Sequence, residues 1–159
     1  MRALVAGVGN VFLGDDGFGV EVVRSLVGAT LPAGVRVQDY GIRGLHLAYD
    51  LLDAPDLLVV VDITSRGGAP GTLYVLEPDP DAIERTLADG HGMDLGAVFA
   101  QVRQLGGRLP RTRILGCEPA TVAEGIGLSE PVRRAIEPAV ALVFDVLYRE
   151  LAHAEEVSA

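Results

Sequence analysis

No lysine occurs anywhere in the chain, so all 13 of its basic side chains are arginine. That absence removes two chemistries that need a primary ammonium group: the P-loop, where lysine lies on the phosphates, and pyridoxal phosphate catalysis, where lysine forms the Schiff base. Cysteine is nearly absent as well. Cys117 alone can form neither an intrachain disulfide nor a multi-cysteine zinc cage, and nothing argues for an oxidising compartment. Long apolar runs are missing: none approaches the roughly 18 residues of a membrane span. The start, MRALVAGVGN, is broken by glycines and then by Asp15 and Asp16, unlike the continuous apolar centre of a signal peptide. A cytoplasmic protein is expected. Positive charge is also scarce, and a net charge of −9 repels nucleic-acid phosphates and anionic membrane surfaces, so neither is expected as a partner.

What is present is enough apolar material for one core. The 159 residues are 49% hydrophobic, which bounds the chain to a single domain, taken as residues 1–152 with a frayed tail over 153–159. Ala3 to Val8 reads as a buried strand, and Val20, Val22, Val23 and Leu26 give the next segment a helical apolar face. Val35 to Asp39 reads as a second strand and Leu45 to Leu52 as a helix ending before Pro55. The unbroken run LLVVV from Leu57 to Val61 marks a strand covered on both faces, hence the sheet centre. Thr72 to Leu76 follows too soon for a parallel crossover, so it is expected to be antiparallel and at an edge. A short helix is expected from Asp79 and Pro80, another over Leu95 to Leu105, a fifth strand over Arg113 to Gly116 and a long helix from Ser129 to about Leu151. Pro138 should kink that helix or mark its true start. The order predicts an α/β fold, a three-layer α/β/α sandwich whose mixed five-stranded sheet has one antiparallel strand.

The segment LVAGVGNVFLGDDGFGV, from Leu4 to Val20, is the most informative. It places Asp15 and Asp16 where a strand passes into a helix. In open α/β sheets, ligands bind at the carboxyl ends of the strands, and helix starts favour anionic side chains. If the first and third strands are neighbours, Asp16 and Asp62 face one crevice. The plainer readings are an N-cap for Asp15 or Asp16, a turn former for Asp62, and a solvated loop residue for His91 between Gly90 and Gly92.

At these residues the chain resembles the hydrogenase maturation endopeptidases, which trim the C-terminal extension from the large-subunit precursor of nickel-iron hydrogenase after nickel is installed. The resemblance rests on G-V-G-N-x-x-x-x-D-[DE] at Gly7, Val8, Gly9, Asn10, Asp15 and Asp16, then D-x-G-x-x-G at Asp39, Gly41 and Gly44. The apolar strand closing in Asp62 follows, then A-P-G-T from Ala69 to Thr72, H-x-x-x-L at His91 and Leu95, and I-E-P at Ile136, Glu137 and Pro138. Each element is weak alone; the ordered set is specific. The resemblance implies a nickel-contacting trio of Asp16, Asp62 and His91, with Asp16 and Asp62 as the catalytic carboxylates. It further implies substrate contacts at Asp39, Gly41 and Gly44, nickel carried by the precursor, and no organic cofactor. A monomer is expected. Two departures stand out: Asp16 shortens an arm that is Glu in some members, and DYGIRG replaces the commoner D-G-G-T-x-G wording, with Tyr40 and Ile42 in place of a glycine and a threonine.

The trio is also sensible chemistry. Two carboxylates and one imidazole suit a borderline divalent metal and leave positions open for substrate atoms. Without metal, two nearby carboxylates repel, and a bound cation favours ionisation of both. Three other readings remain. A dinucleotide-binding module is suggested by Gly7, Gly9 and Asp39, but Phe12 falls at the third glycine of G-x-G-x-x-G. A serine or cysteine hydrolase would use Ser65 or Cys117 with His91 as base, but no G-x-S-x-G elbow exists. A non-catalytic nickel-binding chaperone would share the trio without cutting anything.

Overall fold

The computed structural model describes residues 1–79, 82–83 and 93–159. Strand β1 (Ala3–Val8) leads through a single turn of 3₁₀ helix (Gly14–Gly17) into α1 (Phe18–Leu26). The chain continues through β2 (Val35–Gly41), α2 (Gly44–Leu51), β3 (Leu57–Ile63) and β4 (Leu73–Leu76). It then forms α3 (Leu95–Gln104), β5 (Arg111–Cys117), the short α4 (Glu130–Arg134) and α5 (Ile136–Ser158).

The five strands lie in the order β2-β1-β3-β5-β4. All neighbours are parallel except β4, which runs antiparallel to β5 at the edge. Central β3 is the LLVVV run. Its first five residues are buried because helices cover both faces, which is why the segment needs no polar alternation.

Alternation along β1 distributes the core between those faces. Ala3 and Val5 join Val59, Val61 and Leu115 beneath α1, α4 and α5, where Phe18, Val22, Leu26, Val132, Val143 and Leu147 pack. Leu4, Ala6 and Val8 join Leu58, Val60 and Ile114 on the opposite face, beneath α2 and α3, with Leu47, Leu51, Val98 and Phe99. The chain is therefore a single α/β domain of three layers. At the far end of the sheet, the buried Glu150 of α5 receives Arg111 at 2.9 Å and Arg113 at 2.7 Å from β5.

Pro138 lies in the first turn of α5, after a break between Arg134 and Ile136, so it marks a helix start. The helix then runs to Ser158, beyond the expected end near Leu151 and through the segment read as a frayed tail. Of the short helix expected at Asp79 and Pro80, Pro80 lies outside the described residues. Ala82 and Ile83 are helical, with amides donating to the Asp79 carbonyl at 2.9 and 3.2 Å. Among the described residues, no helix is long and apolar enough to cross a membrane.

Strand order fixes the site. After β1 the chain steps outward to β2, then returns through α2 to β3 on the other side of β1, so the carboxyl ends of β1 and β3 form a topological switch point. α1 begins hard against that point. A Cβ at Gly19 would lie 2.0 Å from the Val61 carbonyl oxygen and 2.5 Å from that of Val8, so only glycine lets the helix approach both strand ends.

Candidate active site

Asp16 sits in the 3₁₀ turn after β1, fully buried, with Oδ2 accepting the Asn10 amide at 2.8 Å. The turn closes tightly around it. Gly9 has φ +130°, a conformation L side chains rarely adopt, and a Cβ there would fall 1.9 Å from the Asp16 carbonyl oxygen. Asp62 stands near the end of β3, partly buried, and its Oδ1 accepts its neighbour's amide, that of Ile63, at 2.8 Å.

The two carboxylates interact electrostatically. Burial pushes the Asp62 carboxyl well above the ordinary carboxylate range, and the negative charge of Asp16 pushes it further, while the Ile63 amide offsets only part of the rise. The crevice thus holds one acid with a strong tendency to keep a proton. A cation placed between the pair would reverse that tendency.

Asp39 closes the same corner from β2. The β1–β2 register slips there, Gly7 pairing with Asp39 and Val8 with Gly41, and the Gly9 amide donates to the Gly41 carbonyl at 2.9 Å. Gly41, at φ +54°, has open space: a Cβ would lie 3.8 Å from Asp39 Oδ1 and from the Gly9 carbonyl oxygen. The outer oxygen of Asp39 is 3.5 Å from the Arg24 guanidinium. Tyr40, the departure from glycine, is buried, and its hydroxyl donates to Asp50, which fastens the loop to α2. Gly44 is differently placed. A Cβ on it would meet the Val98 side chain at 3.2 Å, so this glycine serves the packing of α2 on α3.

Asp15 does not cap α1. That helix has Gly17 at its N-cap and no side-chain cap. The Asp15 carboxylate, fully buried, reaches across to the chain after β5 instead. Oδ2 accepts from the amides of Ala120 at 2.8 Å and Thr121 at 3.1 Å and from the Ser129 hydroxyl at 2.8 Å, and Oδ1 accepts the Ser129 amide at 2.7 Å. Burial alone would raise its pKa. The donors from Ser129, Thr121 and Ala120 outweigh that and hold it below the ordinary value.

A further buried acid, Glu118, escapes the sequence reading. It follows β5 as Asp62 closes β3, and that shared placement, an acid at the end of an apolar strand, was the available signal. Its carboxylate accepts the amides of Arg66 at 2.8 Å and Gly67 at 3.1 Å and the Tyr74 hydroxyl at 3.0 Å. The loop that follows Asp62 is folded back around it. These donors hold the Glu118 carboxyl below its usual range, the Arg66 amide foremost and against the opposing effect of burial.

His91 lies outside the described residues. Among the described residues no three of His, Cys, Asp and Glu lie close enough together to hold a metal, so the structure brings together Asp16 and Asp62 of the expected trio. Cys117 is buried, its thiol pushed up to about 12 by burial and by the charges of Asp15 and Glu118, and a thiol at that value holds its proton at neutral pH. The dinucleotide reading also meets an obstacle. The amides of Gly9 and Asn10 in the turn after β1, the place where a pyrophosphate would sit, are already taken by Gly41 and by the Asp16 carboxylate.

An α/β fold with a pair of acids at its switch point defines a class of site, and comparison with known proteins defines the family. The sequence matches the hydrogenase maturation protease family, HycI, over residues 20–146. It is 32% identical over 149 residues to the hydrogenase 2 maturation protease of Escherichia coli K12, covering 92% of this chain and 91% of that one. The fold is similar to that of the hydrogenase maturating endopeptidase HybD from E. coli, with a TM-score of 0.80, 32% identity and 94% of each chain covered. It is also similar to a [NiFe] hydrogenase maturation protease HycI from Thermococcus kodakarensis, with a TM-score of 0.72, 26% identity and 92% of each chain covered. The chain belongs to the hydrogenase maturation protease family.

Proposed function

We propose that the protein is an endopeptidase that removes the C-terminal extension of a nickel-iron hydrogenase large-subunit precursor after nickel insertion, with the precursor's nickel as its recognition feature. The observation that supports this most is the pairing of Asp16 and Asp62 at the switch point, where burial first and the Asp16 charge second leave Asp62 reluctant to ionise. A precursor that brings its own divalent cation to the crevice relieves that repulsion; an empty precursor leaves it in place. The metal is cargo of the substrate, and discrimination follows from charge. Asp16, Asp62 and His91 contact the nickel, and Asp16 or Asp62 takes a proton from the attacking water as general base. Asp39 and Gly41 border the same corner and contact the polypeptide; Gly44 acts through the seating of α2. The protein works as a monomer in the cytoplasm.

The test is incubation of purified protein with nickel-loaded and nickel-free precursor, followed by intact mass. The loaded form should be cut and the empty form left whole. Asp16→Asn, Asp62→Asn and His91→Ala should each lower cleavage by roughly 100-fold or more, the scale of losing several kcal/mol of charge stabilisation. Cys117→Ser should retain activity. Equal processing of both precursor forms, or full activity in all three site variants, would overturn the metal-gated reading.

A further inference from the structure

Two segments more than 100 positions apart form one surface beside Asp16. The Gly14 amide donates to the Gly125 carbonyl at 2.9 Å, the Gly125 amide donates to the Phe12 carbonyl at 2.8 Å, and Leu13 and Gly125 make a parallel bridge. Beneath this seam, Asp15 gathers Ala120, Thr121 and Ser129 with a buried charge, so the contact is fixed at both levels. The Gly125 amide bonded to the Phe12 carbonyl places Phe12 and Ile126, which follows Gly125 in the chain, along the same seam. They are 63% and 82% exposed. Neither side chain contributes to a core, and the hydrogen-bonded seam holds both at the surface next to the turn that carries Asp16.

The geometry points to a docking platform: Phe12 and Ile126 seat an apolar, non-acidic stretch of the polypeptide substrate next to the bond presented to Asp16 and Asp62. This rests on the endopeptidase reading. Continuity with the site identifies the occupant, since the Asn10 amide bonded to Asp16 Oδ2 belongs to the same turn as Phe12, and a chain that reaches Asp16 passes over that turn. Charge supports it too. The exposed Glu124 precedes Gly125 on the seam, in a chain of net charge −9, which disfavours an acidic segment.

The experiment compares wild type with Phe12→Ser, Ile126→Ser and the double variant, with Val27→Ser as a control at an exposed apolar position remote from the site. Steady-state cleavage of nickel-loaded precursor is measured by intact mass, and binding of the same precursor to Asp62→Asn protein with and without the platform changes. Each single variant should raise KM about fivefold or more, and the double variant more than tenfold, with kcat within twofold and melting temperature unchanged. Binding should weaken in parallel, and Val27→Ser should match wild type. Unchanged KM and binding in the double variant overturn the platform while leaving the protease intact. Precursor that is bound through Phe12 and Ile126 but never cut overturns the protease reading and leaves the platform standing. Sedimentation that shows a wild-type dimer and a monomeric double variant assigns the surface to a second copy and overturns the proposal.

Discussion

Asp15→Asn changes one oxygen for one amide group and should cost the fold about 3 kcal/mol. Asparagine has a single acceptor oxygen. Placed where Oδ2 lies, that oxygen still meets the amides of Ala120 and Thr121 and the Ser129 hydroxyl, but the new NH2 then faces the Ser129 amide, donor against donor. An orphaned buried donor costs about 1–3 kcal/mol. The three surviving bonds lose charge assistance, about 1 kcal/mol each by the difference between charged and neutral bonds. Relief from burying a charge offsets part of the total, by roughly 2 kcal/mol on the scale of polar-group burial. For a chain of this length, about 3 kcal/mol lowers the melting temperature by roughly 6–12 °C. Urea unfolding should show a lower midpoint at unchanged slope. The pH dependence supplies a second signature. Since the folded carboxyl titrates below its ordinary value, its contribution is complete above a pH of about 4 and fades as pH falls through the folded value. The gap between wild type and variant should be constant from about pH 5 to pH 8 and close on acidification. An unchanged midpoint, or a gap that persists in acid, would refute the clamp.

Asp62→Asn should have the opposite sign in the metal-free protein. Its folded carboxyl is raised, so the stability it contributes is present in acid and lost as pH rises through the folded value; the variant should therefore melt higher than wild type near pH 8, with the gain shrinking in acid. Circular dichroism melts across that range would decide it, and a pH-independent difference would argue against the buried pair. Gly44→Val should act on stability, since its Cβ meets Val98 at 3.2 Å and the β-branched methyls press further into α3. A loss of about 1–3 kcal/mol by chemical denaturation, with cleavage normal in the folded fraction, is expected; weakened precursor binding at full stability would put Gly44 in the crevice instead.

Much of the frame was legible because it follows from local pattern. LLVVV could be placed at the sheet centre since a strand covered on both faces has no polar side to show. Thr72 to Leu76 could be placed at an antiparallel edge because a short connection leaves no room for a crossover, and β4 lies there. The site was legible only halfway. Asp15 and Asp16 are indistinguishable in sequence as acids at a helix start, and what separates them is partners 105 to 114 positions away that no local pattern reveals. Gly44 carries the family spacing, yet its neighbour is Val98 on another helix. Glu118 was hidden because two of its partners are backbone amides, which every residue type supplies, and the third, the Tyr74 hydroxyl, is 44 positions away.

Neighbouring acids with opposite electrostatic treatment suggest how a small domain keeps a strained crevice. Asp15 and Glu118 are charges satisfied by amides and hydroxyls, and each pins a loop that borders the switch point: Asp15 the chain after β5, Glu118 the loop after β3. Their low pKa values mean that neither can exchange a proton near neutrality. Asp62 stands between these fixed loops with its charge opposed by burial and by Asp16. With these loops held, the pair stays close enough for Asp16 to disfavour the Asp62 charge, and in the metal-gated reading proposed above a cation would reverse that preference. The satisfied acids are thus a physical precondition for the unsatisfied one, and the selectivity proposed for the crevice depends on residues that never touch the metal.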